Sequence, residues 1–313
     1  MKTMRGKNLK IFVGCLLVVV LGIGSIIYIP AIKAKRKPVI AMAFCTLNIP
    51  FFVEMENGVR EEAKKADVKL IVTNAEDSAA KQMAQVEDLL IQKPDVLLLA
   101  PVDSDVLVPA VEAAHKANIP VISIDRSVNS DKLITFIGVD DVEGGRTAAR
   151  YVIERLNGKG NVIMLEGVIG SSAQRDRAQG FEEVIAKNPK IKMLTKQTAN
   201  FNRTEGMNVV ENLLQAYPKI DAIFAQNDEM ALGAIRAIKA AGREDEIIVV
   251  GFDADPEAKD AVRNGNMAAT IEGSPYKLGI TGVKSAMQYL EGKKLPEKIL
   301  LPLDLVTKES LAK

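Results

Sequence analysis

"AIFAQNDEMALGAIRAIKAAG", residues 222–242, contains in one line the unit from which the chain is built. Ala222–Asn227 is a short apolar run that stops abruptly at an amide. Apolar residues then recur at helical spacing over Met230–Ala241, and Gly242 follows where a helix ends in the left-handed region. Asp228 is the expected cap of this helix, which leaves Asn227 the freer of the pair. A near-continuous apolar strand followed at once by an amphipathic helix is the building block of a parallel sheet covered on both faces.

The same unit recurs on both sides of this segment. Apolar runs lie at 39–44 (VIAMAF), 69–74 (KLIVTN), 96–100 (VLLLA), 121–125 (VISID), 135–139 (TFIGV), 161–167 (NVIMLEG), 191–196 (IKMLTK), 247–253 (IIVVGFD) and 267–273 (MAATIEG). Helical stretches separate them, among them Glu54–Ala66, Ala79–Gln92, Val106–Ala117 and Gly144–Asn157, the last stopped by Gly158. About five units precede residue 140 and four or five follow it. The pattern predicts two α/β lobes, each a doubly wound parallel sheet.

Charge divides the chain differently. Residues 1–37 hold eight of the 41 basic residues and no acid, leaving 33 basic against all 40 acidic residues in 38–313, a net of −7. A surface of that sign repels a phosphate backbone, so nucleic acid is not an expected partner. Inside the basic leader, Ile11–Ile32 runs 22 residues without a charge. At about 1.5 Å per residue it is long enough to cross a membrane. It is longer than the apolar core of a cleavable signal, and the best cut, after Ala34, has the bulky Ile32 at −3. Residues 1–37 are therefore read as an N-terminal hydrophobic helix, an uncleaved anchor in preference to a removed signal, with the remainder outside the cytoplasm. Cys15 lies in this run and Cys45 beyond it, so the exported part can form no internal disulfide. One histidine, His115, and no cysteine cluster argue against a transition-metal site. No D-x-[DN]-x-[DN]-G loop provides for calcium, and no cofactor is expected.

In open α/β sheets ligands bind beyond the carboxyl ends of the strands. Those ends carry Asn48, Phe51 and Phe52; Asp125 and Arg126; Arg175 and Arg177; Phe201; Asn227; Phe252 and Asp253; and Glu272 with Gly273. Four of the eight phenylalanines outside the apolar leader are in this set. Carboxylates and guanidiniums supply forked acceptors and donors, and aromatic rings supply flat apolar plates. Together they suit a polyhydroxylated ring, with hydroxyls at its edge and C–H groups on its faces.

"TLNIPFF", "ISIDRS", "GSSAQRDRAQGF", "ANFNR", "IFAQNDEMALGAIRA", "VVGFDADP" and "AATI" resemble the periplasmic ribose-binding protein group, the type I periplasmic binding proteins of ABC sugar transport. The similarity extends over nearly all of residues 38–308. It implies two lobes joined by a three-segment hinge, crossing near 139–140, 273–274 and 304–305. The lobes would be 38–139 with 274–303, and 140–273 with 304–313. Ligand contacts implied by the resemblance are Phe51, Phe52, Asp125, Arg126, Arg177, Phe201, Asn227, Phe252 and Asp253. Ile49 stands where ribose binders have an asparagine, and Gly273, beside Glu272, where they have a glutamine. Both departures remove side-chain amides, so the resemblance implies a monosaccharide rather than ribose in particular. The implied partner is an ABC permease, with a membrane-tethered sensor presenting sugar to a receptor or histidine kinase as the alternative.

Two other classes fit less well. The lactose-repressor family shares the two-lobe core but carries a helix-turn-helix upstream, where this chain has its apolar leader. An enzyme would need a reacting group, and no G-x-S-x-G, P-loop or dinucleotide fingerprint is present. His115 falls in a segment read as an exposed helix, far from the strand ends.

Overall fold

Val39–Phe44 is six residues of apolar side chains, buried on both faces of a sheet as such a run requires. The computed structural model describes residues 36–312, so the expected membrane helix at Ile11–Ile32 lies outside the described residues. Residues 38–313 form one compact unit. Its strands are β1 (Val39–Phe44), β2 (Lys69–Asn74), β3 (Val96–Leu99), β4 (Val121–Ile124), β5 (Leu133–Gly138), β6 (Gly160–Glu166), β7 (Ile191–Thr198), β8 (Ala222–Ala225), β9 (Ile248–Val250), β10 (Ala269–Glu272), β11 (Lys298–Leu300) and β12 (Asp304–Thr307). Its helices are α1 (Pro50–Lys65), α2 (Ala79–Ile91), α3 (Val108–Lys116), α4 (Asp141–Arg155), α5 (Ser172–Ile185), α6 (Arg203–Ala216), α7 (Asp228–Ala240), α8 (Pro256–Asn264) and α9 (Pro275–Leu290).

The strands form two six-stranded sheets, ordered β11-β5-β4-β3-β1-β2 and β12-β10-β9-β8-β6-β7. Apart from the terminal pair, each repeats one order, in which the first strand lies between the second and third. The direction of winding reverses beside that strand, and there a crevice opens at the carboxyl ends. The first sheet is parallel throughout, whereas β12 runs antiparallel to β10. The chain passes between the sheets after β5, after β10 and between β11 and β12. The last of these passes leaves Leu301–Leu303 between the two short strands.

The helix in residues 222–242 is capped by Asn227, whose Oδ1 accepts from the Met230 N–H at 3.0 Å, and not by Asp228. Asp228 is fully buried and holds a neighbouring loop instead. Gly242, at φ +67°, ends the helix as expected; its N–H donates to the Lys239 carbonyl and that of Arg243 to Ile238. Helix α1 begins at Pro50, four residues earlier than the sequence pattern indicates, so Phe51 and Phe52 belong to its first turn.

Helices α4 and α5 cross through facing glycines. A Cβ on Gly145 would overlap the Arg177 carbonyl oxygen, and one on Gly180 would overlap that of Val142. This close approach sets Arg177, on α5, against Asp141 in the first turn of α4.

Candidate functional site

The crevice between the two sheets narrows to a small cavity of about 20 Å³. Its wall consists of Ile49, Phe51, Phe52, Asp125 and Arg126 from the first lobe, and Ala173, Arg177, Phe201, Asn227 and Asp253 from the second. All of these side chains are buried, so the two lobes are in contact around the cavity. Two hydrogen bonds join them nearby: Ser104 N–H donates to the Gly170 carbonyl, and Ser127 N–H to Ser172 Oγ, both at 2.9 Å.

The two carboxylates are delivered by matching turns. The Asp125 N–H, just past β4, donates to the Ile137 carbonyl of the next strand at 2.7 Å; the Asp253 N–H, past β9, donates to Ile271 in the same way at 2.7 Å. Both residues have positive φ, +64° and +114°, and so does Phe201 at +56°. Such conformations cost on the order of 1–3 kcal/mol each in a non-glycine residue and persist where the surroundings hold them. Burial raises Asp125 to about 6 despite the adjacent Arg126 cation. Burial likewise raises Asp253 well above the ordinary carboxylate range, against the pull of Arg177.

The two guanidiniums are held differently. Arg177 is tied to protein partners: Nε donates to Asp141 Oδ1 at 2.8 Å, Nη1 donates to the Gln226 carbonyl at 2.6 Å, and Nη1 lies 3.6 Å from Asp253 Oδ1. Arg126 is 3% exposed and sits between two rings of opposite lobes, 5.2 Å from the Phe52 centroid and 5.0 Å from that of Phe201. Its Nε is 3.8 Å from Asp125 Oδ2, too long for a hydrogen bond, and Nε and Nη1 have no hydrogen-bond partner among the described residues. Leaving a buried charged donor unpaired is costly, so these two nitrogens call for an acceptor in the cavity.

Eight of the nine principal residues singled out from sequence converge here. Phe252 does not line the cavity. In the turn that follows β9 its fully buried ring instead lies under the Arg177 guanidinium, 3.6 Å from Cζ. Of the further candidates, Ile49 lines the cavity, while Asn48 and Glu272 line a larger adjoining cleft. Gly273 lines neither; the groups nearest it are Val139 and Leu303, close to two of the passes between sheets. Arg175 is exposed and pairs with Asp176. Sequence reasoning missed Ala173 and, more consequentially, Asp141, the buried partner of Arg177.

A model described as "Periplasmic binding protein domain" matches residues 40–294. The chain belongs to the periplasmic binding protein family. Among curated relatives, the ribose import binding protein RbsB of Escherichia coli strain K12 is 42% identical over 277 residues, spanning 88% of this chain and 93% of the relative. Among solved structures, an ABC transporter periplasmic solute binding protein from Actinobacillus succinogenes 130z with bound D-allose has 34% identity and a TM-score of 0.82, covering 87% of this chain and 98% of that one. A solute binding protein from Bacillus halodurans C-125 with bound myo-inositol has 33% identity and a TM-score of 0.85, covering 90% and 98%. The two-lobe architecture of this periplasmic binding protein is shared with these sugar- and inositol-bound solute binding proteins.

Proposed function

We propose that this periplasmic binding protein captures one monosaccharide between its lobes and delivers it to an ABC permease, performing no chemistry on it. The observation that carries the reading is Arg126, a buried guanidinium with two unpartnered donors in a cavity also faced by Asp125, Asp253 and Asn227. A ring hydroxyl both donates and accepts, so one sugar can satisfy the arginine and the carboxylates together. Phe51, Phe52 and Phe201 supply the plates for its C–H faces. The ligand contacts are assigned to the ten lining residues. Ile49 gives the wall an apolar spot where ribose binders place an amide, which favours a sugar presenting a C–H or deoxy edge there. The relatives bind ribose, allose and inositol by name, so the chemical class is common to them and the individual ligand is not.

Closure is part of the mechanism. The wall is shared between lobes, so a ligand completes its contacts only when they meet, and its binding shifts the population toward the closed form. A thermal-shift and calorimetric panel of aldoses, ketoses and polyols on the full-length chain is expected to give one site per chain at micromolar or tighter affinity. Saturation is also expected to decrease the radius of gyration in small-angle X-ray scattering. A panel without a single thermal shift or binding heat would overturn the reading.

We assign Ile11–Ile32 to an anchor that holds the protein on the outer face of the cell membrane. Full-length protein is expected in the membrane pellet after alkaline carbonate washing. A soluble product beginning near Lys35 would show a cleaved signal instead.

A further inference from the structure

Beside the sugar cavity, and sharing Asp253 with it, lies a larger cleft with about 1280 Å³ of open space. Its wall has three origins: Asn48, Pro50, Val53 and Glu54 from the start of α1; the 253–259 segment and Glu272 from the second lobe; and Ser274–Lys277, where the chain returns to the first lobe. Pro50, Val53, Pro256, Pro275 and the half-buried Tyr276 give it an apolar surface, and Val53 is 42% exposed. Its ionisable residues are Glu54, Asp253, Asp255, Glu272, Lys259 and Lys277, four acids against two bases. Lys259 is already engaged, 3.1 Å from Glu272.

Asp255 distinguishes this cleft from an ordinary acidic surface. It is 5% exposed, and its Oδ2 has no hydrogen-bond partner among the described residues. It stands at the N-cap position of α8 without capping that helix through its side chain. Its place is fixed from below, because its own N–H donates to Asp228 Oδ2 at 2.9 Å while Thr270 Oγ1 donates to Asp228 Oδ1 at 2.7 Å. Burial, followed by the nearby Glu229, raises its carboxyl to about 6 against the pull of Arg203 and Lys259. A buried carboxylate oxygen that lacks a hydrogen bond is stabilised by a charged donor brought to it.

We propose that this cleft is a second binding site, for a small organic ammonium ion: its charged head on Asp255 and Glu54, its apolar body against the prolines, Val53 and the Tyr276 ring. A metal ion suits the wall less well, since no group of three or more potential ligands is gathered among the described residues. An ammonium with a hydrocarbon body uses both the charge and the apolar lining. Because the wall belongs to both lobes and to a segment joining them, such a ligand would also favour the closed form and be coupled to sugar binding.

The proposal adds to the sugar reading without depending on it, and the test separates the two. The probe is 2-phenylethylammonium, with 2-phenylethanol as its neutral counterpart, titrated into the full-length chain by calorimetry and ligand-observed NMR. Expected are one saturable site for the ammonium, binding at least about tenfold weaker for the alcohol, and a loss of about tenfold or more in Asp255→Asn. Glu54→Gln, on the exposed side of α1, provides a second variant should Asp255→Asn fail to fold, and is expected to weaken the ammonium about threefold or more. Arg126→Ala is expected to retain ammonium binding. Equal binding of ammonium and alcohol, an unchanged affinity in folded Asp255→Asn, or loss of the ammonium site in Arg126→Ala would each overturn the proposal, the last by placing the probe in the sugar cavity.

Discussion

Replacing Arg126 by alanine is expected to weaken monosaccharide binding by roughly 30-fold to several-thousand-fold, about 2–5 kcal/mol. Truncation removes more than two hydrogen bonds to the ligand. Arg126 is the neighbouring cation of Asp125, 3.8 Å away, and it opposes the upward push of burial on that carboxyl. Without the guanidinium, Asp125 becomes a buried anion with less compensation, and the Phe52 and Phe201 rings lose the plate between them. Lysine is not expected to rescue the variant, because a point charge cannot reproduce the fork or stack on two rings. Calorimetric titration with the best ligand of the panel decides the matter, with the melting curve as a check on folding. Wild-type affinity in a folded Arg126→Ala protein would place the sugar elsewhere.

The largest effect on stability is expected at Gly180. A leucine there must displace the Val142 carbonyl, which is backbone of α4 and cannot rotate away, so α4 and α5 have to separate. Overpacking of this kind costs about 1–3 kcal/mol, with the upper end expected where backbone must move. Parting these helices also parts Arg177 from Asp141, whose 2.8 Å ion pair is formed across that contact. Gly180→Leu is therefore expected to lower both the denaturant midpoint and sugar affinity. Gln179→Leu, on the neighbouring exposed position, is the control and is expected to change stability by no more than about 0.5 kcal/mol. A Gly180→Leu protein as stable as the wild type would show that the helix contact is softer than the geometry indicates.

The alternation of buried strand and helix was readable because a strand covered on both faces needs an unbroken apolar run, and short runs such as VLLL at 96–99 recur between amphipathic stretches. The last two strands were not readable. Lys298–Leu300 and Asp304–Thr307 are short, lie at sheet edges, and alternate only weakly between buried and exposed. The strand-end rule brought most of the cavity wall together because topology alone places those ends side by side. It failed where a side chain's direction mattered. Phe252 and Asp253 are adjacent in sequence and face opposite ways, one into the helix layer and one into the cavity. Asn227 and Asp228 are both good caps by composition, and only the backbone decides that the asparagine takes the role. Asp141 precedes the helix expected at Gly144–Asn157, whereas α4 starts at Asp141; its service to Arg177 depends on two glycines that bring the helices together.

The two hydrogen bonds across the lobes, from Ser104 to Gly170 and from Ser127 to Ser172, bear on time as well as on affinity. The most exposed residue of the cavity wall, Ile49, is only 8% exposed, so a bound sugar is largely screened while the lobes stay together. Escape waits on the lobes parting, and the lifetime of the complex is set by how often they do so. Two sugars that fit equally well inside would then differ in residence only through the strain each places on those lobe-to-lobe contacts. A permease that pulled the lobes apart would shorten that lifetime directly, without having to compete for a single contact to the sugar.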